Sequence, residues 1–184
     1  RQALRLPQSY MLFVGSIEER KNLLLAVEAL AQLEDKELHL VAVGRRTPYV
    51  QQVLDRARRL GVTSRLHLLH QVGATYLPGI YGGAEVFVYP SRFEGFGIPI
   101  IEALNAGIPV IGATGSCLEE AGGPTSLYTD PDNADMLASL IDRVLIDISL
   151  RRLMIDEGRS YVERFTPKRI ARDLSQVYEQ VMLT

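Results

Sequence analysis

Residues 91–103 read Ser-Arg-Phe-Glu-Gly-Phe-Gly-Ile-Pro-Ile-Ile-Glu-Ala and carry two glutamates eight positions apart, Glu94 and Glu102. An apolar run at 86–89 precedes them and predicts a buried strand. The order of strand, glycine-bearing loop and helix aims backbone N–H groups and a helix N-terminus at an anion. A phosphate can therefore sit at Phe96 and Gly97, with a carboxylate on each side for neutral hydroxyls. This pattern is typical of a site for a phosphorylated, hydroxyl-rich ligand such as a nucleotide sugar.

The bulk composition is that of one ordinary globular domain. The chain has 184 residues, of which 47% are hydrophobic and 23% charged, enough for a substantial core. Its net charge of −2 argues against a nucleic-acid partner. The single cysteine, Cys117, excludes an internal disulfide and fits a reducing compartment. The three histidines and this cysteine show no metal-ligand spacing, so we expect no metal site and no cofactor.

The sequence gives limited information on where in the cell the protein lies. No apolar run approaches the roughly 18–20 residues of a membrane span. No signal peptide is visible either, but the chain starts at Arg1 rather than Met, and we interpret it as a part of a longer protein. We expect a cytoplasmic protein, and peripheral association of the parent with the inner membrane face stays open.

Short apolar runs alternate with amphipathic stretches over residues 10–131. Apolar strands that are bounded by Gly and Pro and separated by helices predict a parallel sheet covered on both faces. We therefore expect a single doubly wound, Rossmann-like α/β domain over 1–184. The predicted strands lie at 10–14, 38–43, 66–69, 86–89, 109–111 and 126–128. The predicted helices lie at 23–33, 50–60, 75–81 and 98–105.

The pattern changes after Pro131. Asn133 predicts the N-cap of a helix ending near residue 146, a second helix covers about 149–157, and Pro167 opens a third. Residues from about 132 to 184 should thus form a helical closing segment. The third helix carries an apolar stripe, which we expect to pack against another domain. The stripe consists of Ile170, Leu174, Val177, Tyr178 and Val181.

A second candidate anion site follows the first predicted strand. Gly15 begins a turn that ends in Arg20 and Lys21, just before a predicted helix N-terminus. Cations are unfavourable there because of the helix macrodipole, and a bound diphosphate would offset that repulsion. Arg20 can chelate a diphosphate, and Lys21 can act as a point charge. The alternative is a pair of solvated charges on a loop.

Taken in order, these segments resemble the C-terminal, donor-binding domain of the retaining family-4 (group 1) glycosyltransferases of GT-B architecture. The two-glutamate stretch, with its Gly-Phe-Gly and the preceding Pro-Ser, matches the family signature. The run from Gly15 to Asn22 resembles the mannosyltransferase-like branch. Further matching runs are 13–23, 107–111, 115–120 and 127–131.

The resemblance implies a two-domain enzyme of which this chain is one half. The acceptor-binding N-terminal Rossmann-like half of the same parent would be the missing partner. The donor substrate would be a nucleotide-diphosphate sugar, and a hexosyl group, such as mannosyl from GDP-mannose, would pass to an acceptor hydroxyl. The isolated half should be inactive. The alternatives are a catalytically silent nucleotide-sugar sensor or scaffold, and a nucleotide-sugar epimerase.

The resemblance also implies roles for particular side chains. Arg20 and Lys21 would neutralise the leaving diphosphate, and Glu94 would contact the transferred sugar near its reacting carbon. Glu102, which we expect to be partly buried in its apolar run, would bind the ribose hydroxyls. Glu94 can instead be an ordinary carboxylate at a helix N-terminus, and Glu102 can lie on the exposed face of an amphipathic helix. Glu120 matches a family glutamate in the loop after the fifth strand, and a solvated acidic pair is its alternative.

Backbone groups complete the implied donor site. Phe96 and Gly97 would bind the donor through main-chain N–H groups, and Gly15 would be a donor-binding residue in the turn after the first strand. The ring of Phe96 can equally be a core aromatic. His67 and His70 flank a predicted strand, where a histidine is usually structural or solvated. The resemblance implies that the main chain of residues 70–72 borders the nucleotide base.

Overall fold

The computed structural model describes residues 4–182 of the chain. Within that range six strands form one parallel sheet. They are β1 (Tyr10–Val14), β2 (His39–Val43), β3 (Leu66–Leu69), β4 (Val86–Tyr89), β5 (Val110–Ala113) and β6 (Leu127–Thr129). Their order across the sheet is β3-β2-β1-β4-β5-β6, the order of a doubly wound dinucleotide-type fold. The predicted fold class is confirmed, and each predicted strand is present within two residues of its predicted ends.

The central strands are apolar throughout because both of their faces are covered. Every residue of β4 and β5 is buried, whereas the edge strand β3 is only partly buried. Phe13, Phe87 and Tyr89 are fully buried, and their rings pack against one another at the centre of the sheet. The aromatic part of the core therefore lies where β1 and β4 are side by side.

Helices cover both faces of the sheet. On one face α1 packs against α2 and α6, and on the other α4 packs against α3, α5 and α7. The helices are α1 (Leu23–Gln32), α2 (Val50–Arg59), α3 (Leu77–Tyr81), α4 (Ile98–Ala106), α5 (Leu118–Gly122), α6 (Ala134–Ile146), α7 (Ile148–Val162) and α8 (Pro167–Met182).

The C-terminal extension is helical, as predicted. Asn133 caps α6, since its side-chain oxygen accepts a hydrogen bond from the N–H of Met136 at 2.8 Å. Helix α7 is longer than expected and packs across α4. Helix α8 buries none of its described side chains, and its apolar stripe, from Ile170 at 45% exposure to Tyr178 at 66%, faces outward.

Helix α5 was not expected from the sequence, which predicted a loop at 115–120. Its five residues are too few to give a periodic pattern, so tertiary contacts determine the helix. Leu118 and Ala121 are buried against Gly97 at the start of α4. A Cβ at Gly97 would lie 3.0 Å from each of these side chains, and Gly97 also has a φ of +106°. Glycine is thus required at Gly97 both for backbone conformation and for packing.

The chain leaves β1 and β4 toward opposite edges of the sheet. From β1 it passes through α1 to β2, and from β4 it passes through α4 to β5. Such a switch point opens a crevice at the carboxyl ends of the two strands, where ligands of open α/β sheets bind. Gly15 follows β1 into this crevice, and Pro90 and Ser91 follow β4.

The carboxyl ends of β1 and β2 approach so closely that glycine is required at Gly44. A Cβ there would lie 1.8 Å from the carbonyl oxygen of Gly15. We predict that Gly44→Ala lowers the free energy of unfolding by about 2–3 kcal/mol, because the backbone must shift to admit the methyl group. Chemical denaturation of the purified variant measures this loss.

Gly79→Ala is the matched control for this substitution. Gly79 lies in α3 and a Cβ there meets nothing within 4 Å. Alanine is the better helix former, so the free energy of unfolding of this variant should equal that of the wild type or exceed it by up to about 1 kcal/mol. Equal stability of the two alanine variants would contradict the steric argument.

Candidate functional site

A buried ion pair joins the two loops of the crevice. The Lys21 ammonium lies 2.5 Å from Glu94 Oε1, and their side chains are only 10% and 9% exposed. Lys21 comes from the turn after β1, and Glu94 from the loop after β4. The two residues that the sequence assigned to separate motifs are therefore in direct contact at the switch point.

Two buried hydroxyls hold this pair in place. Ser91, which is fully buried, donates a hydrogen bond to Glu94 Oε1 at 2.7 Å. Lys21 donates to the hydroxyl of Tyr89 at 2.7 Å, and its ammonium lies 5.1 Å from the centre of that ring. Sequence reasoning assigned no role to Tyr89 or Ser91, although both lie directly before the Glu94 motif.

These contacts determine the charge states of Glu94 and Tyr89. Burial alone would raise the pKa of Glu94, but hydrogen bonds from Lys21 and Ser91 outweigh it and hold that pKa below the ordinary value. Burial and the nearby Glu94 carboxylate raise the pKa of the Tyr89 hydroxyl. At neutral pH Glu94 is therefore an anion and Tyr89 a neutral phenol.

Arg20 is the more accessible of the two cations. Its side chain is 48% exposed and one guanidinium nitrogen donates to the carbonyl of Phe93 at 2.9 Å. The same nitrogen lies 3.4 Å from Glu94 Oε2, and the other contacts Glu18 at 2.9 Å. Arg20 thus spans the mouth of the crevice and keeps N–H donors at the surface.

Asn22 clamps the turn that carries both cations. It has a left-handed backbone with φ of +58°, and its side-chain amide donates to the carbonyls of Pro90 and Pro131 at 3.0 and 2.7 Å. This asparagine ties the end of β4 to the start of α1. The sequence offered a signal for it, because Asn tolerates this backbone region better than most residues, but the role was missed.

The N-terminus of α4 faces the same crevice. Among the described residues, the backbone N–H groups of Gly95, Phe96, Gly97 and Ile98 make no hydrogen bond. Such groups at a helix start are suited to bind an anion. The ring of Phe96 is 38% exposed and contacts Phe165 edge-on at 5.5 Å, so it is not a core aromatic.

Glu102 is exposed, and the prediction of partial burial was wrong. The buried positions of α4 are Ile100, Ala103 and Leu104, which places Glu102 on the opposite side of the helix. Its carboxylate accepts a hydrogen bond from the Tyr81 hydroxyl at 2.7 Å. Burial and this hydrogen bond raise the pKa of Tyr81, so the phenol stays a donor.

Of two adjoining cavities, one lies at the carboxyl ends of the strands and the other lies between α3 and α4. One, of about 660 Å³, is lined by the Gly15 backbone together with the ends of β2 and β3. The other, of about 430 Å³, contains Glu102 and Tyr81. Leu77 lines both, so the cavities adjoin each other along α3.

Glu120 lies in α5 and not in a loop, and its side chain is exposed. Its neighbour Cys117 donates a hydrogen bond to the carbonyl of Glu94 at 3.1 Å. Burial, together with the nearby carboxylates of Glu94 and Glu120, raises the pKa of this thiol. Glu120 is thus close to the Glu94 loop, and Cys117 anchors that loop as a neutral thiol.

Residues 4–182, which the structure describes, hold no group of three or more His, Cys, Asp or Glu side chains that could bind a metal ion. None of their helices combines the length and apolar character needed to cross a bilayer.

The fold is that of a doubly wound α/β protein, and it places paired cations and carboxylates at the switch point of the sheet. A family model described as glycosyl transferases group 1 matches residues 1–161. The chain belongs to this glycosyltransferase family, which confirms that part of the resemblance seen in the sequence.

Relatives and solved structures agree with this assignment. The chain is 33% identical over 165 residues to O-antigen chain mannosyltransferase B of Escherichia coli, covering 86% of the chain and 42% of that protein. It is 29% identical to MMP alpha-(1->4)-mannosyltransferase of Mycolicibacterium hassiacum, covering 88% and 39%. The structure of sucrose-phosphate synthase from Thermosynechococcus elongatus superposes with a TM-score of 0.86 at 30% identity, covering 100% and 48%. The chain thus spans less than half the length of these three proteins.

The lowered pKa of Glu94 predicts a pH-dependent contribution to stability. We expect Glu94→Gln to lower the free energy of unfolding at pH 7 by about 2–3 kcal/mol, because Lys21 then lacks its buried counterion. The folded-state pKa lies below the ordinary 4.5, so this contribution is complete above pH 4.5 and is lost as the pH falls through the lowered value. Urea denaturation of both proteins between pH 3 and 7 measures the difference. A difference that stays constant down to pH 3 would contradict the assignment.

Proposed function

We propose that this chain binds the nucleotide-diphosphate sugar donor of a retaining hexosyltransferase with two Rossmann-like domains. One observation carries the proposal: Arg20, Lys21, Glu94 and the free N–H groups of α4 converge at the switch point of the sheet. Two cations and a helix N-terminus suit a diphosphate, and a carboxylate beside them suits a sugar hydroxyl.

The diphosphate would lie between Arg20 and the start of α4. Arg20 is exposed and offers a planar set of donors, which match the oxygens of a phosphate group. Lys21 adds a positive charge from the buried side of the same loop. Together with the N–H groups of α4, these cations would stabilise the negative charge that develops on the leaving diphosphate. The proposed chemistry therefore needs no metal and no further cofactor.

Glu94 would act on the transferred sugar. Its ionised carboxylate can accept a hydrogen bond from a sugar hydroxyl and stabilise positive charge on an oxocarbenium-like transition state. In the transfer, the bond from the anomeric carbon to the diphosphate oxygen breaks, and a bond to the acceptor oxygen forms on the same face. The acceptor proton leaves with the diphosphate, so charge and atoms balance.

Glu102 would bind the ribose from the second cavity. One of its carboxylate oxygens is engaged by Tyr81, which leaves lone pairs for ribose hydroxyl donors. Exposure, which the sequence did not predict, makes the carboxylate accessible to a ligand. The role of Glu120 stays a prediction, supported by its position beside the Cys117–Glu94 contact.

The missing half of the parent would complete the cleft. The chain spans less than half of its mannosyltransferase relatives, and the apolar stripe of α8 is exposed. We infer that α8 packs on the N-terminal domain, which would also bind the acceptor. Hydrogen exchange of the full parent should show residues 170–178 protected relative to this chain alone.

Two of the relatives are named as mannosyltransferases. These names support a mannosyl group as the transferred sugar and GDP-mannose as its donor. The single cysteine, which is free, and the nucleotide-sugar substrate support a cytoplasmic location, with attachment to the inner membrane face as a property of the parent. Membership of a glycosyltransferase family does not favour a silent sensor or an epimerase.

Arg20→Gln tests the diphosphate site in this chain. We expect the affinity for the best-binding nucleoside diphosphate among GDP, UDP and ADP to fall by about 10- to 100-fold, because charge-assisted hydrogen bonds are lost. Arg58→Gln is the control, since Arg58 is 59% exposed on α2 and pairs with Asp55 in the same helix. Calorimetric or NMR titration measures both. An equal loss in the two variants would contradict a specific site.

Glu94→Gln in the full parent separates catalysis from binding. We expect kcat to fall by about 100-fold or more, because the charge that faces the transition state is removed. Binding of the nucleoside diphosphate should not weaken, since Glu94 is assigned to the sugar. A wild-type parent that binds nucleotide sugar but transfers nothing would instead support the silent sensor.

A further inference from the structure

The cavity of about 660 Å³ has a lining that suits a flat, partly apolar group. Apolar side chains from the ends of β1 and β2, from the turn after β3 and from α3 form much of its wall. They are Val14, Val43, Val72 and Leu77. The backbone of Gly15 and Ser16 forms another side, which leads along the turn to Arg20.

One histidine in this cavity is held in a defined orientation. His70 Nδ1 lies 2.8 Å from the carbonyl oxygen of Gly44. A carbonyl only accepts, so Nδ1 carries the proton, and Nε2 of the neutral ring is an acceptor. Gly44 is itself fixed, because its N–H donates to Leu69 at 3.0 Å and its Cα packs against Gly15.

The residue after this histidine has an uncommon backbone. Gln71 has a φ of +57°, in the left-handed backbone region that residues other than Gly and Asn rarely adopt. The turn places His70, Gln71 and Val72 along the same cavity wall. Backbone strain at a cavity wall is typical of a ligand contact.

We propose that His70 recognises the nucleobase of the donor, by accepting at Nε2 a hydrogen bond from an N–H on the edge of the base. The apolar wall contacts the faces of the base. This inference rests on the proposed function, since a diphosphate at Arg20 directs the nucleoside toward Gly15. It assigns the recognition to a side chain, where sequence reasoning expected only main chain.

The test compares each nucleotide with a methylated form from which an N–H donor of the base edge has been removed. This chain is titrated with GDP, UDP and ADP, and the best binder is then compared with its base-methylated form. These forms are 1-methyl-GDP, 3-methyl-UDP and N6,N6-dimethyl-ADP, each of which lacks an N–H donor on the base edge. Wild type should bind the methylated form about tenfold more weakly, the effect of one hydrogen bond.

Variants of His70 show whether this discrimination belongs to the side chain. His70→Ala should bind both forms with equal affinity. Its affinity for the unmethylated nucleotide should be about tenfold lower than that of wild type. His70→Gln, whose amide oxygen can replace the acceptor, should keep part of the discrimination. His67→Ala is the matched control, because His67 lies on β3, three residues before His70, and contacts His39 instead of the cavity. It should behave as wild type.

A spectroscopic readout excludes a purely structural effect. The ¹⁵N resonance of His70 Nε2 should shift when the parent nucleotide is added and should not shift with the methylated form. The inference about His70 is overturned, and the proposed function stands, on one combination of results. In that combination wild type binds a nucleotide, Arg20→Gln weakens this binding, and His70→Ala still discriminates fully between the nucleotide and its methylated form. If no nucleotide binds wild type at millimolar concentration, both fail together.

Discussion

The Lys21–Glu94 ion pair is the interaction on which the whole site depends. It bridges the turn after β1 and the loop after β4, the two segments that diverge at the switch point. Because Ser91 and Tyr89 satisfy the same charged groups, the pair is held rigidly with little exposure. Arg20 and the N-terminus of α4 are thereby placed on opposite sides of one narrow crevice.

The backbone architecture was predictable from the sequence because its signals are local. Buried parallel strands read as continuous apolar runs, and Asn133 and Pro167 mark helix starts by their own chemistry. Helix α5 was missed because its own sequence carries no helical pattern. Its packing against Gly97 determines the helix instead. The packing of α8 on another domain stays a prediction, and the exposure of Ile170, Leu174, Val177 and Tyr178 supports it.

The side-chain geometry was predictable only in part. The Glu94 motif located the crevice, but the sequence could not show that Glu94 would neutralise Lys21, since the contact spans 73 residues of chain. Glu102 was assigned to the apolar side of α4, because three neighbouring isoleucines conceal which side faces the core. His70 looked structural, and the role proposed for it depends on a hydrogen bond to a distant carbonyl.

A crystal structure of this chain with a bound nucleotide sugar tests the central claim most directly. The account predicts phosphate oxygens within about 3.2 Å of the Arg20 guanidinium and of N–H groups at the start of α4. It also predicts the sugar beside Glu94. Phosphates bound elsewhere, for example at the basic cluster of Arg164, Lys168, Arg169 and Arg172 around the start of α8, would contradict it.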